Sequence, residues 1–191
     1  MSYLQRNKFF RNIIYKIKNI SARERVRNIK PYINKQGKIL DIGAGSCIIS
    51  EILKKEGYDI TPIDIKNLSF VESITPILYD GSKIPFEKDK FEISFILTVL
   101  HHIPHPIKIL EEAKRVSKSI LIIEDIYTNT FNKLLVYFFD RLFNFGTMCP
   151  HTNKNDKDWK KTFENMGLKL LKTKYYKSFF GVNSVIYYLE K

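Results

Sequence analysis

Cysteine is scarce in this chain of 191 residues, which contains only Cys47 and Cys149. Two such distant cysteines form neither a metal-ligand spacing nor a disulfide framework. Scarce cysteine is typical of proteins that fold in a reducing compartment, so we expect a cytoplasmic protein. Apolar runs such as "LLVYFF" are also far shorter than the about 20 residues that a membrane-spanning helix needs.

Acidic residues are nearly absent from the first 38 residues, which hold 11 Lys and Arg but only one acid, Glu24. This segment therefore carries a net charge of +10, which leaves +2 for the other 153 residues. We interpret residues 1–37 as a basic helical arm with one apolar face, formed by Phe9, Phe10, Ile13, Ile14 and Ile17. Such an arm either is simply solvated or contacts phosphate, on an anionic membrane or on nucleic acid, of which nucleic acid is not favoured.

From residue 38 onward, apolar strand-like runs alternate with helical patterns. This alternation predicts crossover helices and a parallel sheet that is covered on both faces. The strand-like runs are "KILDI", "YDITPID", "TPILYD", "FEISFIL" and "SILIIED". We therefore predict an α/β domain over residues 38–191 with a Rossmann-like sheet.

The end of the chain departs from that rhythm. The runs "LKLLKTKYYK" and "VNSVIYYLE" flank a short segment with Gly181 and predict a terminal antiparallel hairpin, which brings the sheet to seven strands. After the fifth strand we predict a helical insertion at about residues 127–147, with an amphipathic helix over 131–145. That helix is expected to cap an apolar substrate, to dock the N-terminal helix, to form a dimer contact or simply to pack on the domain, and the oligomeric state stays open.

A glycine loop, "DIGAGSC", follows the first strand. It is not a P-loop, because the string G-x-x-x-x-G-K-[ST] does not occur. It also lacks the third glycine of a dinucleotide fingerprint, since Ile48 stands in that position. Asp41 precedes the loop and would repel a pyrophosphate, but it suits a cationic ligand with many hydrogen-bond donors.

A second carboxylate, Asp64, lies 23 residues after Asp41, at the end of the second predicted strand. A carboxylate in this position accepts hydrogen bonds from both hydroxyls of a ribose. Asp64 therefore indicates a nucleoside ligand without distinguishing a nicotinamide from a sulfonium cofactor. The alternative for Asp41, Asp64 and Asp80 is that they are cap or turn acids, which weighs most for Asp80 because Asp-Gly is a general turn signal.

Four stretches together resemble the successive motifs of the class I S-adenosylmethionine-dependent methyltransferases, and specifically the type 11 methyltransferase-domain group. They are "ILDIGAGSC", "ITPIDI", "LYDGSKIPFEKDKFEISFILTVLHHI" and "ILEEAKRVSKSILIIED". The resemblance covers about residues 38–125. It implies an enzyme with S-adenosylmethionine as cofactor. The frequent third loop glycine of the family is Cys47 here, which we expect to be a small filler.

The resemblance also implies roles for individual residues. Asp41, Gly43 and Gly45 would contact the methionine end of the cofactor. Asp64 would hold the ribose. The remaining cofactor contacts implied are Ile65 beside the adenine, Asp80 with Gly81 at the adenine amino group, and Leu97 with Thr98 closing the pocket.

Three of the four histidines, His101, His102 and His105, follow the fourth predicted strand. We interpret His102 as the first candidate for a general base and His101 as the second, with packing as the alternative. We expect no metal site, because no carboxylate or cysteine lies at ligand spacing among them. Tyr127, Asn129, His151 and Trp159 are weaker candidates for a substrate pocket, and His151 is the remaining histidine.

The absence of one sequence motif narrows the range of possible methyl acceptors. The string [DN]-P-P-[YF], typical of methylases that act on exocyclic amines of nucleic acid bases, does not follow the fourth strand, where "TVLHHI" stands. We therefore expect a small-molecule acceptor, with an apolar or lipid-like one included. The alternative is a non-catalytic module that binds anionic membrane or RNA through its basic arm.

Overall fold

The computed structural model describes residues 3–126, 154–179 and 181–191. Its strands are β1 (Ile39–Ile42), β2 (Ile60–Asp64), β3 (Ile77–Leu78), β4 (Phe91–Leu97), β5 (Ser117–Asp125), β6 (Lys169–Lys177) and β7 (Asn183–Glu190). They form one seven-stranded sheet in the order β3-β2-β1-β4-β5-β7-β6. Strands β1 to β5 pair in parallel, whereas β7 is antiparallel to both β5 and β6. The predicted α/β fold with a terminal antiparallel hairpin is confirmed.

The helices described are α1 (Tyr3–Arg6), α2 (Lys8–Ile29), α3 (Ile48–Lys55), α4 (Pro106–Val116) and α5 (Asp156–Asn165), with 3-10 turns at Lys30–Tyr32 and Leu100–His102. Two of them, α2 and α5, begin at an asparagine that caps them. Asn7 accepts hydrogen bonds from the N–H groups of Phe9 and Phe10, and Asn155 accepts one from Asp158. These contacts satisfy backbone donors that a first helical turn otherwise leaves without a partner.

The sheet is covered on both faces because alternate strand residues point to opposite sides. Leu40 and Ile42 of β1 enter one core, together with residues of α4 and α5. Ile39 enters the other core, together with Val26 of α2 and Leu53 of α3. The two cores confirm helices on both faces of the sheet.

Two further expectations from the sequence have different outcomes: one strand is shorter than predicted, and one predicted helix lies outside the described residues. The run "TPILYD" forms only the two-residue strand β3, because β2 ends at Asp64 and offers it pairing partners only at Ile63 and Asp64. The predicted insertion at 127–147, with its helix over 131–145, lies outside the described residues. Among the described helices, none is both long enough and apolar enough to cross a bilayer.

Candidate active site

The carboxyl ends of β2, β1 and β4 lie side by side, since these strands are neighbours and run parallel. In open α/β sheets this edge forms the crevice in which ligands bind. The chain leaves β1 through the glycine loop, residues 43–47. The predicted cofactor residues on three different strands therefore come together at one edge of the sheet.

The glycine loop has a left-handed backbone at Gly43 (φ 72°), Gly45 (φ 50°) and Cys47 (φ 57°). The N–H of Gly43 donates to the carbonyl of Ile63 in β2, at 2.9 Å. A Cβ atom on Gly43 would lie 2.8 Å from both methyl carbons of Val99, which follows β4. The loop thus packs closely against both neighbouring strand ends, and a side chain at Gly43 would push it away from β4.

Asp41 lies at the end of β1 and is only 3% exposed. Its Oδ2 atom accepts a hydrogen bond of 2.6 Å from the Oγ of Ser50, in the first turn of α3. Burial raises the pKa of Asp41 to about 6, and the nearby charge of Asp64 adds to the effect. With this one donor among the described residues, the buried carboxylate gains from a cationic ligand, which would offset the cost of its burial.

Asp64, the last residue of β2, is also buried. Its Oδ2 atom accepts the N–H of Gly45 at 2.8 Å, and its Oδ1 atom accepts the N–H of Lys66 at 3.2 Å. Each carboxylate oxygen has room for a further hydrogen bond, so these contacts leave capacity for two hydroxyl groups. Asp64 therefore fixes the glycine loop and can still hold a ribose.

An apolar surface adjoins Asp64. The Ile65 side chain is 57% exposed although it is large and apolar. Its Cγ2 atom lies 3.0 Å from the place of a Cβ atom on Gly81, whose φ is 80°. The absence of a side chain on Gly81 leaves this face of Ile65 open to a flat apolar ring such as adenine.

Asp80 is exposed and forms its contacts within its own turn. Its carboxylate accepts hydrogen bonds from the N–H groups of Ser82 and Lys83 and from the Ser82 hydroxyl. These contacts, led by the Ser82 hydroxyl, lower the pKa of Asp80 to about 2. The alternative interpretation, a turn acid, therefore describes what Asp80 does within the chain, and it leaves acceptor capacity for an amino group.

Leu97 and Thr98 end β4 at the same edge. Leu97 is buried, and Thr98 has a left-handed backbone with φ 57°. A β-branched residue is strained in this region. The conformation is held by two hydrogen bonds of 2.7 Å, from the Thr98 N–H to the carbonyl of Ile123 and from its hydroxyl to the carbonyl of Leu97. Such strain is concentrated at functional sites in proteins.

His101 is buried and its Nδ1 atom lies 2.6 Å from Oε2 of Glu124, the penultimate residue of β5. Glu124 is 1% exposed, and its Oε1 atom accepts the N–H groups of Val99 and Leu100. An ionised carboxylate only accepts, so Nδ1 of His101 carries a proton. Because a general base must contact its acceptor, the 4% exposure of His101 favours His102 for that role.

His102 is half-buried at the end of the turn that follows β4. Its ring centroid lies 4.1 Å from that of His101, at an angle of 46°. Its backbone N–H donates to the carbonyl of Val99, which also packs against Gly43. One short segment thus joins the candidate base to the glycine loop.

Sequence reasoning missed Glu124, Ser50 and Val99 as parts of this edge. For Glu124 a signal existed, because "SILIIED" ends with acidic residues at a strand end. Cys47 is buried, and burial raises the pKa of its thiol to about 12, so it is a filler and not a nucleophile.

The weaker pocket candidates divide into two groups. Trp159 is wrong as a pocket residue, because it is 1% exposed and stacks on Phe163 inside the core. Tyr127, Asn129 and His151 lie outside the described residues.

Residues 40–122 match the family model of the Methyltransferase domain. Over 100 residues the chain is 32% identical to an uncharacterised protein of Methanocaldococcus jannaschii, which covers 52% of this chain and 48% of that protein. Over 92 residues it is 26% identical to the ubiquinone biosynthesis O-methyltransferase of Photorhabdus laumondii, with 42% and 38% covered. The chain therefore matches less than half the length of these relatives.

Solved structures share the fold at low sequence identity. A methyltransferase of Archaeoglobus fulgidus, described as S-adenosylmethionine-dependent, superposes with a TM-score of 0.69 at 17% identity and covers 97% of this chain and 100% of its own. A similarly described protein of Aquifex aeolicus gives a TM-score of 0.65 at 16% identity, with 95% and 98% covered. The family match over residues 40–122, the shared fold and the arrangement of the carboxyl edge agree: this chain is similar to the class I S-adenosylmethionine-dependent methyltransferases, and within them to the type 11 methyltransferase-domain group.

Proposed function

We propose that this protein transfers the methyl group of S-adenosylmethionine to a hydroxyl of a small, apolar or lipid-like acceptor. The observation that carries the proposal is the carboxyl edge, where buried Asp41, Asp64 and exposed Ile65 offer a charge, a hydroxyl acceptor and an apolar face in sequence. These match the ammonium and sulfonium charges, the ribose and the adenine of the cofactor. The cytoplasmic location expected from the sequence is part of this proposal.

Different residues of the site would bind different parts of the cofactor. Asp41, with the backbone of Gly43 and Gly45, would hold the methionine end. Asp64 would accept the ribose hydroxyls. The adenine would lie on Ile65, with Asp80 and Gly81 at its amino group and with Leu97 and Thr98 closing the pocket. S-adenosylmethionine supplies a methyl group on a positively charged sulfur, which is a good leaving group.

The chain must then align the acceptor and exclude water, which in favourable cases supplies roughly 7–11 kcal/mol. A hydroxyl acceptor becomes a better nucleophile when His102 takes its proton, a contribution of typically 10²–10⁴-fold. Glu124 and His101 would support His102 by fixing the segment that carries it. Oxygen is favoured as the acceptor atom because a curated relative is a ubiquinone biosynthesis O-methyltransferase.

Two observations weigh against the alternatives. The amine-methylase string is missing after β4, which disfavours nucleic acid bases as acceptors. A non-catalytic module has no need for a buried carboxylate whose pKa is raised beside an open apolar face, so we do not propose one. Peripheral membrane contact through residues 1–38 does not depend on this choice.

Cofactor binding tests the first half of the proposal. We expect calorimetry on the purified protein to show micromolar binding of S-adenosylmethionine and S-adenosylhomocysteine and none of NADH. Asp64→Ala should weaken binding by at least about 100-fold, because two hydrogen bonds to a charged group are lost at about 1.5–3 kcal/mol each. Asp59→Ala is the matched control, since this aspartate precedes β2 and is exposed. Absent binding, or equal losses in both variants, would contradict the assignment.

The acceptor is tested with radiolabelled methyl donor. We expect label to enter hydroxylated aromatic compounds that carry an isoprenoid chain, and to enter the same head groups without the chain more slowly. His102→Gln should lower the rate by about 10²-fold or more while cofactor binding persists. Label that enters transfer RNA or ribosomal RNA instead would overturn the small-molecule acceptor.

A further inference from the structure

Two charged side chains of α4, outside the predicted site, hold the chain that follows β3. Glu112 and Arg115 lie three positions apart, so they extend from the same face of the helix. The Nε and Nη2 atoms of Arg115 donate to the Oε1 and Oε2 atoms of Glu112, at 2.8 Å and 2.6 Å. Both side chains are largely shielded from water. A two-point pair of this kind fixes the orientation of both groups.

The pair binds the backbone at Ile84 and Phe86. Glu112 accepts the N–H of Ile84 through its Oε2 atom, at 2.7 Å. Arg115 donates to the carbonyls of Ile84 and Phe86, at 2.8 Å and 2.7 Å. The side chain of Ile84 is fully buried in the core that α4 covers. Both polar groups of the Ile84 backbone are therefore held by this one pair.

These contacts fix the position of a turn that is otherwise closed on itself. Asp80 accepts the N–H groups of Ser82 and Lys83 within the turn. Among the described residues, the hydrogen bonds that join residues 80–88 to the remainder of the domain are the three contacts with Glu112 and Arg115. Asp80 thus sets the shape of the turn, whereas the pair on α4 sets where the turn lies.

The turn carries two groups of the candidate cofactor site. Gly81 lies against Ile65, since a Cβ atom at Gly81 would be 3.0 Å from the Cγ2 atom of Ile65. Asp80 precedes it and is assigned to the adenine amino group. Three successive N–H groups, those of residues 82, 83 and 84, are accepted by Asp80 and Glu112. A shift of Ile84 would therefore move Gly81 relative to Ile65.

We propose that Glu112 and Arg115 are positioning residues for the adenine end of the cofactor, because they keep the turn of Asp80 and Gly81 at the distance from Ile65 that admits the adenine ring. The proposal rests on the cofactor assignment made above. Both side chains act through the backbone that they bind. Without them the turn would occupy its binding position for only a fraction of the time, and affinity falls in proportion to that fraction.

The arrangement differs from an ordinary ion pair on a helix surface, which contributes little to stability. Here one guanidinium reaches a carboxylate and two carbonyls at once, a geometry that arginine allows and lysine does not. The hydrogen bond from Arg115 is the largest of the effects that lower the pKa of Glu112 from its usual value. The pair is therefore charged at neutral pH, and both of its members take part in holding the turn.

Calorimetry with two ligands tests the proposal. S-adenosylhomocysteine contains both ends of the cofactor, whereas methylthioadenosine contains the adenine and the ribose but no amino acid. Glu112→Ala and Arg115→Gln should weaken both ligands by the same factor, about tenfold or more, as expected if the turn is in place for about a tenth of the time or less. Asp41→Asn should weaken only S-adenosylhomocysteine, since it acts at the methionine end.

Matched controls come from the same helix. Glu111→Ala removes the adjacent carboxylate and Lys108→Gln removes a cation, both at exposed positions, so both should bind as the unaltered protein does. Arg115→Lys keeps the charge and can make one of the contacts, so its affinity should lie between those of Arg115→Gln and the unaltered protein. Thermal unfolding of every variant shows whether the protein is folded at the temperature of the binding measurement.

A double-mutant cycle shows whether the pair acts through the turn. Gly81→Ala displaces the turn directly, because its Cβ would approach Ile65 and because a φ of 80° is strained for alanine. In that background Glu112→Ala should cost less affinity for methylthioadenosine than it does alone. In the Asp41→Asn background its cost should be unchanged. A pair that only stabilises the fold would give additive effects in both backgrounds.

Three results would overturn the proposal. The first is unchanged affinity in Glu112→Ala and Arg115→Gln for ligands that the unaltered protein binds. The second is a loss that Glu111→Ala shares or that is confined to S-adenosylhomocysteine. The third is additivity with Gly81→Ala. If the unaltered protein binds neither ligand, the cofactor assignment itself is wrong, and the positioning role is wrong with it.

Discussion

Asp41 and Glu124 are both buried carboxylates at the carboxyl edge of the sheet, but the chain surrounds them differently. Glu124 receives two backbone N–H groups and the imidazole of His101. Asp41 receives, from the described residues, the hydroxyl of Ser50. Burial costs a carboxylate several kcal/mol unless it has hydrogen-bond partners. Glu124 therefore has partners that compensate its burial within the chain, whereas Asp41 does not.

This difference separates two sides of the site. On the β4–β5 side, Glu124 ties the ends of two strands together and holds the segment with His101 and His102. On the β1–β2 side, burial raises the pKa of Asp41 to about 6, and carboxylates with a pKa shifted in this way are common at functional sites. Removing Glu124 should therefore damage the fold first, and removing Asp41 should damage ligand binding first.

The largest effect is expected for Glu124→Ala. The substitution leaves two buried N–H groups and His101 without their acceptor, which should lower the free energy of unfolding by about 3–5 kcal/mol. Urea unfolding followed by the fluorescence of Trp159, the single tryptophan, measures it. Glu92→Ala is the control, because its side chain is half exposed in its ion pair with Lys118. A loss below about 1 kcal/mol would show that Glu124 does not hold the two strands.

Glu124→Gln refines this result. Its amide oxygen can still accept the N–H groups of Val99 and Leu100, but its amide nitrogen donates to His101 and forces the other tautomer. We expect stability between those of the alanine variant and the unaltered protein. A lower methyl-transfer rate with unchanged cofactor affinity would identify Glu124 as a positioning residue for the histidine segment.

A smaller and opposite effect on stability is expected for Asp41→Asn. The pKa of Asp41 is about 6 in the folded protein and about 4 when unfolded, so the folded state binds the proton more tightly. The unliganded protein should lose the corresponding stability as the pH rises from about 4 to 6 and not regain it above. The asparagine variant should be more stable at pH 7 by about 1–3 kcal/mol while binding S-adenosylmethionine more weakly.

Unfolding of both proteins between pH 4 and 8, without ligand, measures the difference directly. The stability of the unaltered protein minus that of the variant should decrease through this window and then level. Asp59→Asn, at an exposed position, should follow the unaltered protein throughout. Parallel curves for Asp41→Asn would mean that Asp41 is already compensated and that the contrast with Glu124 does not hold.

The two sides also differ in how far the sequence predicts them. The glycine loop, Asp41 and Asp64 follow strands at fixed spacings, so local patterns reveal them. The contact between His101 and Glu124 joins residues 23 positions apart on different strands, and only tertiary pairing brings them together. The same holds for Trp159, whose helical spacing is clear but whose burial depends on the sheet beneath it. The periodicity of apolar residues in the sequence predicts the strands. Which polar residues contact each other depends on how those strands pair, and the sequence pattern does not show the pairing.

The two sides also differ in backbone strain. Left-handed backbone occurs at Gly43, Gly45 and Cys47 in the loop after β1, whereas after β4 it occurs at Thr98, a β-branched residue. Thr98→Gly and Thr98→Ala remove the same hydroxyl, and only glycine removes the strain as well. We expect the glycine variant to be more stable than the alanine variant by about 1 kcal/mol. The difference is measured from the midpoints of the urea unfolding curves, provided that the free energy of unfolding falls with urea concentration at the same slope in both variants. Equal stabilities would show that the segment relaxes to another conformation.

The smallest effect is expected for Asp80→Asn. The Asp80 carboxylate is exposed and bound within its own turn, and asparagine can keep both acceptor contacts to the N–H groups of Ser82 and Lys83. Cofactor affinity should change by less than about threefold, because the contact that the variant loses to the adenine amino group is exposed and water can replace it. The pKa of Asp80 is lowered to about 2, so the charge stabilises the turn above about pH 4, and that contribution disappears as the pH falls toward 2. The asparagine variant should lack this acid dependence. A drop in affinity near that of Asp64→Ala would instead make Asp80 an equal partner in the β1–β2 side, and the compensation of a carboxylate within the chain would no longer predict which groups bind ligand.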